Sequence, residues 1–196
     1  KTILSKLYHW KIYVVGSVEY QYPNHLFQAG YFLDKKYYDE NTIDFKHLLL
    51  SEKNQSLLKD IQNSNSVGVH IRRGDYMTKQ NLVIFGNICT QKYYHDAIRI
   101  ITEKVNDAVF YVFSDDISWV QTHLDIPNAV YVNWNTGESS IYDMYLMSSC
   151  KYNIIANSTF SYWAARLNKK TNMVIYPSKW YNTFTPDIFP ESWCGI

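Results

Sequence analysis

From Val67 onward the chain alternates short apolar runs with amphipathic segments, and this rhythm restricts its fold more than any other feature. Val67–Ile71, Ala108–Phe113, Ala129–Val132, Tyr152–Ala156 and Met173–Tyr176 are short, nearly all apolar, and rich in β-branched and aromatic residues. They read as strands. Between them, Tyr94, Ile98, Ile101 and Val105 recur at helical spacing, which predicts a helix over Gln91–Val105. Asp116–Leu124 carries Ile117, Val120 and Leu124 on one side, with Ser114 or Asp115 as its cap. Ser139–Cys150 and Thr159–Leu167 complete the helices, and Pro177 stops the last strand. Strands without a polar face, separated by helices, predict an α/β fold whose parallel sheet is covered on both sides.

A parallel sheet binds ligands beyond the carboxyl ends of its strands. Those ends are polar each time: His70-Ile71-Arg72-Arg73, Ser114-Asp115-Asp116, Asn133-Trp134-Asn135 and Asn157-Ser158-Thr159. In the first strand Val67, Val69 and Ile71 share one face, and His70 and Arg72 the other. Paired arginines at a strand end suit a phosphate, because a guanidinium stays charged and grips oxygens bidentately. Asp75 is placed to orient an arginine or to act as a general base. The orienting role is favoured, since a carboxylate engaged by two guanidiniums makes a poor base. Asn157-Ser158-Thr159 opens a helix, whose free N–H groups and hydroxyls form a second anion cradle. Asp115 is either a helix cap or an acceptor for a base or ribose. Glu138 complements a helix dipole, and His25, His95 and His123 are surface or packing residues.

Residues 1–65 lack the rhythm. Thr2–Trp10 reads as a short helix, Lys11–Val18 as a strand, and Phe45–Leu50 and Leu57–Ile61 as short helices. Tyr20–Tyr38 is aromatic and turn-rich; with Trp134 it offers surfaces on which a sugar could stack, or simply packing. This front part is expected to be the end of another lobe with a linker, and 66–196 the ligand-binding domain.

Composition narrows the function. With 46% apolar residues the chain builds a core, and a net charge of +1 lacks the basic face of a nucleic-acid binder. Cys89, Cys150 and Cys194 are too scattered for a disulfide framework or zinc site and read as reduced thiols. No run approaches a membrane span of roughly 18 apolar residues. Neither G-x-G-x-x-G nor a P-loop is present, which disfavours hydride transfer and ATPase chemistry. No D-x-D or His/Asp cluster suggests a metal, so a phosphate leaving group would be stabilised by arginine and a helix start.

VGVHIRRGDY (Val67–Tyr76) resembles the H-x-R-R-x-D signature shared by α1,2-, α1,6- and protein O-fucosyltransferases. FSDDISWV (Phe113–Val120), the stretch from Asp143 to Leu167, and PSKWYN (Pro177–Asn182) look like the α1,2-fucosyltransferases of glycosyltransferase family eleven. The resemblance covers roughly residues 25–185. It implies a two-lobed GT-B-type enzyme with a Rossmann-like donor domain. Such an enzyme is metal-independent, needs no cofactor, and inverts GDP-β-L-fucose onto a galactose-terminated glycan in α1,2 linkage. On that resemblance Arg72 grips the diphosphate, and Arg73, His70 and Asp75 fill the rest of the motif. Asn157, Ser158, Thr159 and Phe160 meet the donor from the opposite helix, where Tyr162-Trp163 stands for the family's frequent tryptophan pair. The family's glycine-rich front loop is missing from residues 1–65, so an N-terminally incomplete member is expected, inactive alone. The resemblance places the protein in the cytoplasm, or peripheral at the inner membrane of a bacterium. The rival readings are a transferase with another nucleotide-sugar donor, and an adhesion module displaying Arg73-Gly74-Asp75.

Overall fold

The structure is a computed structural model, and it describes residues 44–196 together with the backbone of Tyr13–Val15 and Phe27–Ala29. The chain divides into two compact units: Lys1–Thr42 with Pro186–Ile188, and Ile43–Thr185 with Phe189–Ile196. In the first unit β1 (Tyr13–Val15) and β2 (Phe27–Ala29) pair in parallel. The helix expected over Thr2–Trp10 and the aromatic tract Tyr20–Tyr38 otherwise lie outside the described residues.

The second unit contains, in order, α1 (Glu52–Asn63), β3 (Asn65–Ile71), a 3-10 turn (Gly74–Met77), α2 (Lys79–Phe85) and α3 (Gln91–Lys104). There follow β4 (Ala108–Ser114), α4 (Ile117–His123), β5 (Ala129–Val132), α5 (Ser140–Ser148), β6 (Tyr152–Ile154), α6 (Thr159–Arg166), β7 (Met173–Tyr176) and β8 (Cys194–Gly195). The strands form one six-stranded sheet in the order β5-β4-β3-β6-β7-β8, and every pairing is parallel. From β3 the chain winds outward through β4 to β5, then returns to the other side of β3 and winds outward through β6, β7 and β8. The reversal puts the topological switch point between the carboxyl ends of β3 and β6, where such sheets open a crevice.

Both faces are covered, as the apolar strands require. Val67, Val69, Ile71, Phe110 and Val112 pack beneath α3 and α4 through Tyr94, Ala97, Ile101 and Val120. On the opposite face Tyr111, Phe113 and Val132 meet Leu57 and Ile61 of α1, Leu146 and Met147 of α5, and Ala164 of α6. Period-two alternation thus assigns neighbouring residues of one strand to different cores. Ile61 is fully buried, and its truncation to alanine is worth about 2–5 kcal/mol by lost transfer and cavity formation. At Gly68 a Cβ would sit 2.9 Å from Asn153 Nδ2 and 3.2 Å from Cys150 Sγ, so the bare backbone lets the chain leading from α5 into β6 lie against β3.

Several boundaries differ from the sequence expectation. Residues 45–50 form a turn, not a helix. There the Lys46 N–H donates to Asp44 Oδ1 at 3.0 Å, a local bond that competes with helical pairing. The helix expected at Leu57–Ile61 is a longer one, α1, begun by the Ser51 hydroxyl accepting from Asn54 N–H. Although α1 precedes residue 65, it belongs to the sheet's core. The cap of α4 is Asp116, which accepts from Trp119 N–H, and neither Ser114 nor Asp115 fills that place. The long loop after β3 contains α2, short and exposed enough to have left no helical periodicity. The tail closes the sheet as the edge strand β8.

Candidate functional site

Arg72 leaves the end of β3 at the switch point and is braced on both sides. Its Nη2 lies 2.5 Å from Asp75 Oδ1 and its Nη1 2.8 Å from Asp115 Oδ2. Asp115 also accepts from the Arg73 backbone N–H at 2.9 Å, so one carboxylate ties the ends of β3 and β4 together. Gly74 makes room for this: a Cβ there would run into Asp115 Oδ2. Asp115 therefore positions arginine instead of capping a helix.

Arg72 opens on a cavity of about 600 Å³ that is also lined by His70, Phe113, Asp115, Asn135, Asp143 and Phe160. His70 is 5% exposed, its ring lies 5.1 Å from that of Phe160, and its Nδ1 has no hydrogen-bond partner in the protein. Burial, helped by the Arg72 charge, pushes its pKa down to about 3. It is a neutral imidazole facing the cavity, able to donate or accept one hydrogen bond.

Asp143 is the cavity's unexpected member. On α5, 9% exposed, it accepts from Asn135 Nδ2 at 2.6 Å. Burial pushes its pKa up to about 7 against the lowering effect of that hydrogen bond. A buried carboxyl so perturbed in a cleft is a candidate functional group. In the sequence Asp143 heads the family-like stretch to Leu167, but as one acid in a helix of mixed polarity it carries no sign of burial. The polar strand end Asn133-Trp134-Asn135 was the legible hint.

Other expected residues lie elsewhere. Arg73 is turned away from the main cavity: its guanidinium lies 3.7 Å over the Trp119 ring, and Nε donates to Asp116 Oδ2 at 3.1 Å. It lines instead a smaller cavity of about 230 Å³ with Tyr76, Phe85 and Cys89. Asn157 is a buried joint: its amide donates to the carbonyls of Phe85 (3.3 Å) and Trp180 (3.0 Å), and its own carbonyl accepts from the Tyr76 hydroxyl at 2.9 Å. It fastens the loop after β3 to β6 and to the tail. Ser158 is 6% exposed and makes no side-chain cap to α6, and neither it nor Thr159 lines the cavity. Of that segment only Phe160 does. Trp134 is committed to packing, with Nε1 donating to Asn54 Oδ1 at 2.7 Å and the Lys53 ammonium 3.7 Å over its ring. Arg73-Gly74-Asp75 is not offered as a free tripeptide, since both charged side chains are paired. Among the described residues no group of three or more His, Cys, Asp or Glu could hold a metal ion, and no helix is long and apolar enough to cross a membrane.

The chain is thus a parallel α/β domain with a braced arginine at its switch point and a cavity beyond the carboxyl ends of β3, β4 and β5. The sequence profile of Glycosyl transferase family 11 matches residues 8–196, and the chain belongs to that family. It is 35% identical over 196 aligned residues to an α-1,2-colitosyltransferase of Escherichia coli, covering 92% of this chain and 63% of that protein. It is 44% identical over 122 residues to the E. coli O-antigen biosynthesis glycosyltransferase WbnK, covering 61% of this chain and 40% of the relative. To galactoside α-(1,2)-fucosyltransferase 2 of Pongo pygmaeus it is 28% identical, over 76% of this chain and 48% of the relative. The chain thus spans between 40% and 63% of these relatives' lengths.

Proposed function

We propose that this chain is the donor-binding part of an inverting transferase that moves L-fucose from GDP-β-L-fucose to a galactoside hydroxyl in α1,2 linkage. The carrying observation is the Arg72 guanidinium, held by Asp75 and Asp115 at the mouth of the cavity that also contains Asp143. Arg72 binds the diphosphate and neutralises the charge that grows on it as the bond to the anomeric carbon breaks. The acceptor hydroxyl attacks that carbon from the opposite face and gives up its proton to water, and GDP departs with the bonding electrons. Asp75 aligns Arg72. In the ionised form, Asp143 is the acceptor for the donor base, since guanine presents N–H groups along one edge. Arginine takes the place a divalent metal would otherwise fill. A GT-B arrangement completed by a second lobe, of which 1–65 would be part, belongs to the same proposal.

A second donor is favoured by one observation: the E. coli relative at 35% identity bears the name colitosyltransferase. Colitose is L-fucose without its 3-hydroxyl, so the two donors share the groups that Arg72 and Asp143 would bind. Calorimetry with GDP, and transfer assays with GDP-fucose and GDP-colitose on the full-length protein, test the reading. Arg72→Ala is expected to abolish transfer and to weaken GDP about 10- to 100-fold, the value of a charge-assisted contact of roughly 1.5–3 kcal/mol. Wild-type turnover in that variant would remove Arg72 from the mechanism.

A further inference from the structure

Behind the cavity lies a chain of hydrogen bonds with only one consistent direction. Trp134 Nε1–H can donate and cannot accept, so the Asn54 atom 2.7 Å from it must be the amide oxygen. The Asn54 NH2 group then faces Asn135, donating to its Oδ1 at 3.0 Å. That contact fixes the Asn135 amide in turn, so that its Nδ2 donates to Asp143 Oδ1 at 2.6 Å and to Asn54 Oδ1 at 3.1 Å. Asn54 is 1% exposed and does not line the cavity, while Asn135 and Asp143 do. Lys53, next to Asn54, holds the Trp134 ring from its face. The orientation of two amides that could each be flipped is therefore imposed by the Trp134 N–H and relayed through Asn54 of α1.

We propose that Asn54 is a positioning residue for the donor base. Acting through Asn135, it makes Oδ1 of Asp143 the occupied oxygen and leaves the other oxygen to accept from the base in the cavity. The inference rests on the reading that the cavity takes a guanosine diphosphate. With the amides reversed, the Asn135 carbonyl would face the Asp143 carboxylate and repel it, and Asp143 would turn away or stay protonated. Fully satisfied buried networks of this kind define one geometry, because every alternative leaves a polar group unpaired.

The test separates base recognition from diphosphate binding. The full-length protein is titrated with GDP, UDP and inorganic pyrophosphate by calorimetry, as wild type and as Asn54→Asp. The new carboxylate still accepts from Trp134 but cannot donate to Asn135, which removes the direction of the chain. Wild type is expected to prefer GDP over UDP. Asn54→Asp is expected to weaken GDP by about 10- to 100-fold, the loss of a hydrogen bond to a charged group, with UDP and pyrophosphate changed less than about twofold. Equal losses for all three ligands would make Asn54 merely structural, and unchanged GDP binding would make it irrelevant; either overturns the proposal. Should Asn54→Asp fail to fold, Trp134→Phe removes the donating N–H together with the pyrrole part of the indole and keeps a six-membered ring under Lys53. It is expected to weaken GDP about fivefold, the value of one neutral hydrogen bond, with pyrophosphate unaffected, and unchanged GDP binding there overturns the proposal equally. A wild-type protein that binds pyrophosphate but shows no preference for GDP would sink the donor reading and this inference with it. A wild-type preference that both variants retain would sink the inference alone.

Discussion

Asp143→Asn should change how stability depends on pH in a way that no surface aspartate could. The Asp143 pKa rises from an ordinary 3.8 to about 7 on folding. Between about pH 4 and pH 7 the folded chain therefore keeps a proton that the unfolded chain has released, and stability falls as pH rises. The penalty is absent below the unfolded value and complete above the folded one. At about 1.4 kcal/mol per pH unit it reaches roughly 4 kcal/mol, as an order of magnitude. His70 works in the opposite direction, its pKa falling from 6.5 to about 3 on folding. Below pH 6.5 the unfolded chain takes up a proton that the buried imidazole refuses, so this contribution lets stability rise with pH. In the wild type the two slopes oppose each other between about pH 4 and pH 6.5. Asp143→Asn removes one and uncovers the other. Urea denaturation of the two proteins at intervals from pH 4.5 to pH 8 measures the difference, in which all other titrating groups cancel. The variant is expected to gain on the wild type by about 1.4 kcal/mol per pH unit up to pH 7, then to run parallel to it. Curves that are parallel throughout would show that Asp143 ionises freely in the fold and that its burial is not what the geometry indicates.

Two other substitutions probe the arginine clamp. Gly74→Ala places a methyl group against Asp115 Oδ2, so Asp115 must leave either Arg72 or the Arg73 N–H; calorimetry should read a loss of GDP affinity of about tenfold, and unchanged affinity would show that Asp115 does not hold Arg72 for the ligand. Asp75→Asn removes a carboxylate that is 56% exposed, so urea denaturation should find a stability change under about 1 kcal/mol. A loss several times larger would mean that Asp75 supports the fold and not only the arginine.

The parallel sheet was legible because its cause is local. Strands buried on both faces must be apolar throughout, and the helices between them must carry an apolar stripe, so both periods are written into the residues. The motif at Val67–Asp75 was legible for a similar reason, since the strand, the paired arginines and the turn are consecutive. Two strands, β5 and β7, have the bounds expected of them. The misplaced features are those decided by competition. Phe45–Leu50 has helical composition, but a single Asp44 side-chain bond favours a turn. Asp115 and Asp116 are equivalent as caps until the backbone of Arg73 claims the first of them.

Taken alone, the sequence determined which strand ends would be polar, and it marked Arg72, which lines the cavity those ends enclose. Only the tertiary structure divided the labour among neighbours. It turned Arg73 out of the cavity onto Trp119, buried Asn157 as a joint, and brought Asp143 in from α5. It also linked Asn54 to that aspartate through Asn135, although the two asparagines stand 81 positions apart in the chain. Strand register and the side a chain faces follow from short-range periodicity. The partner a polar group finds depends on which elements pack together, and a hydrogen bond between residues far apart in the chain leaves no periodic trace in the sequence.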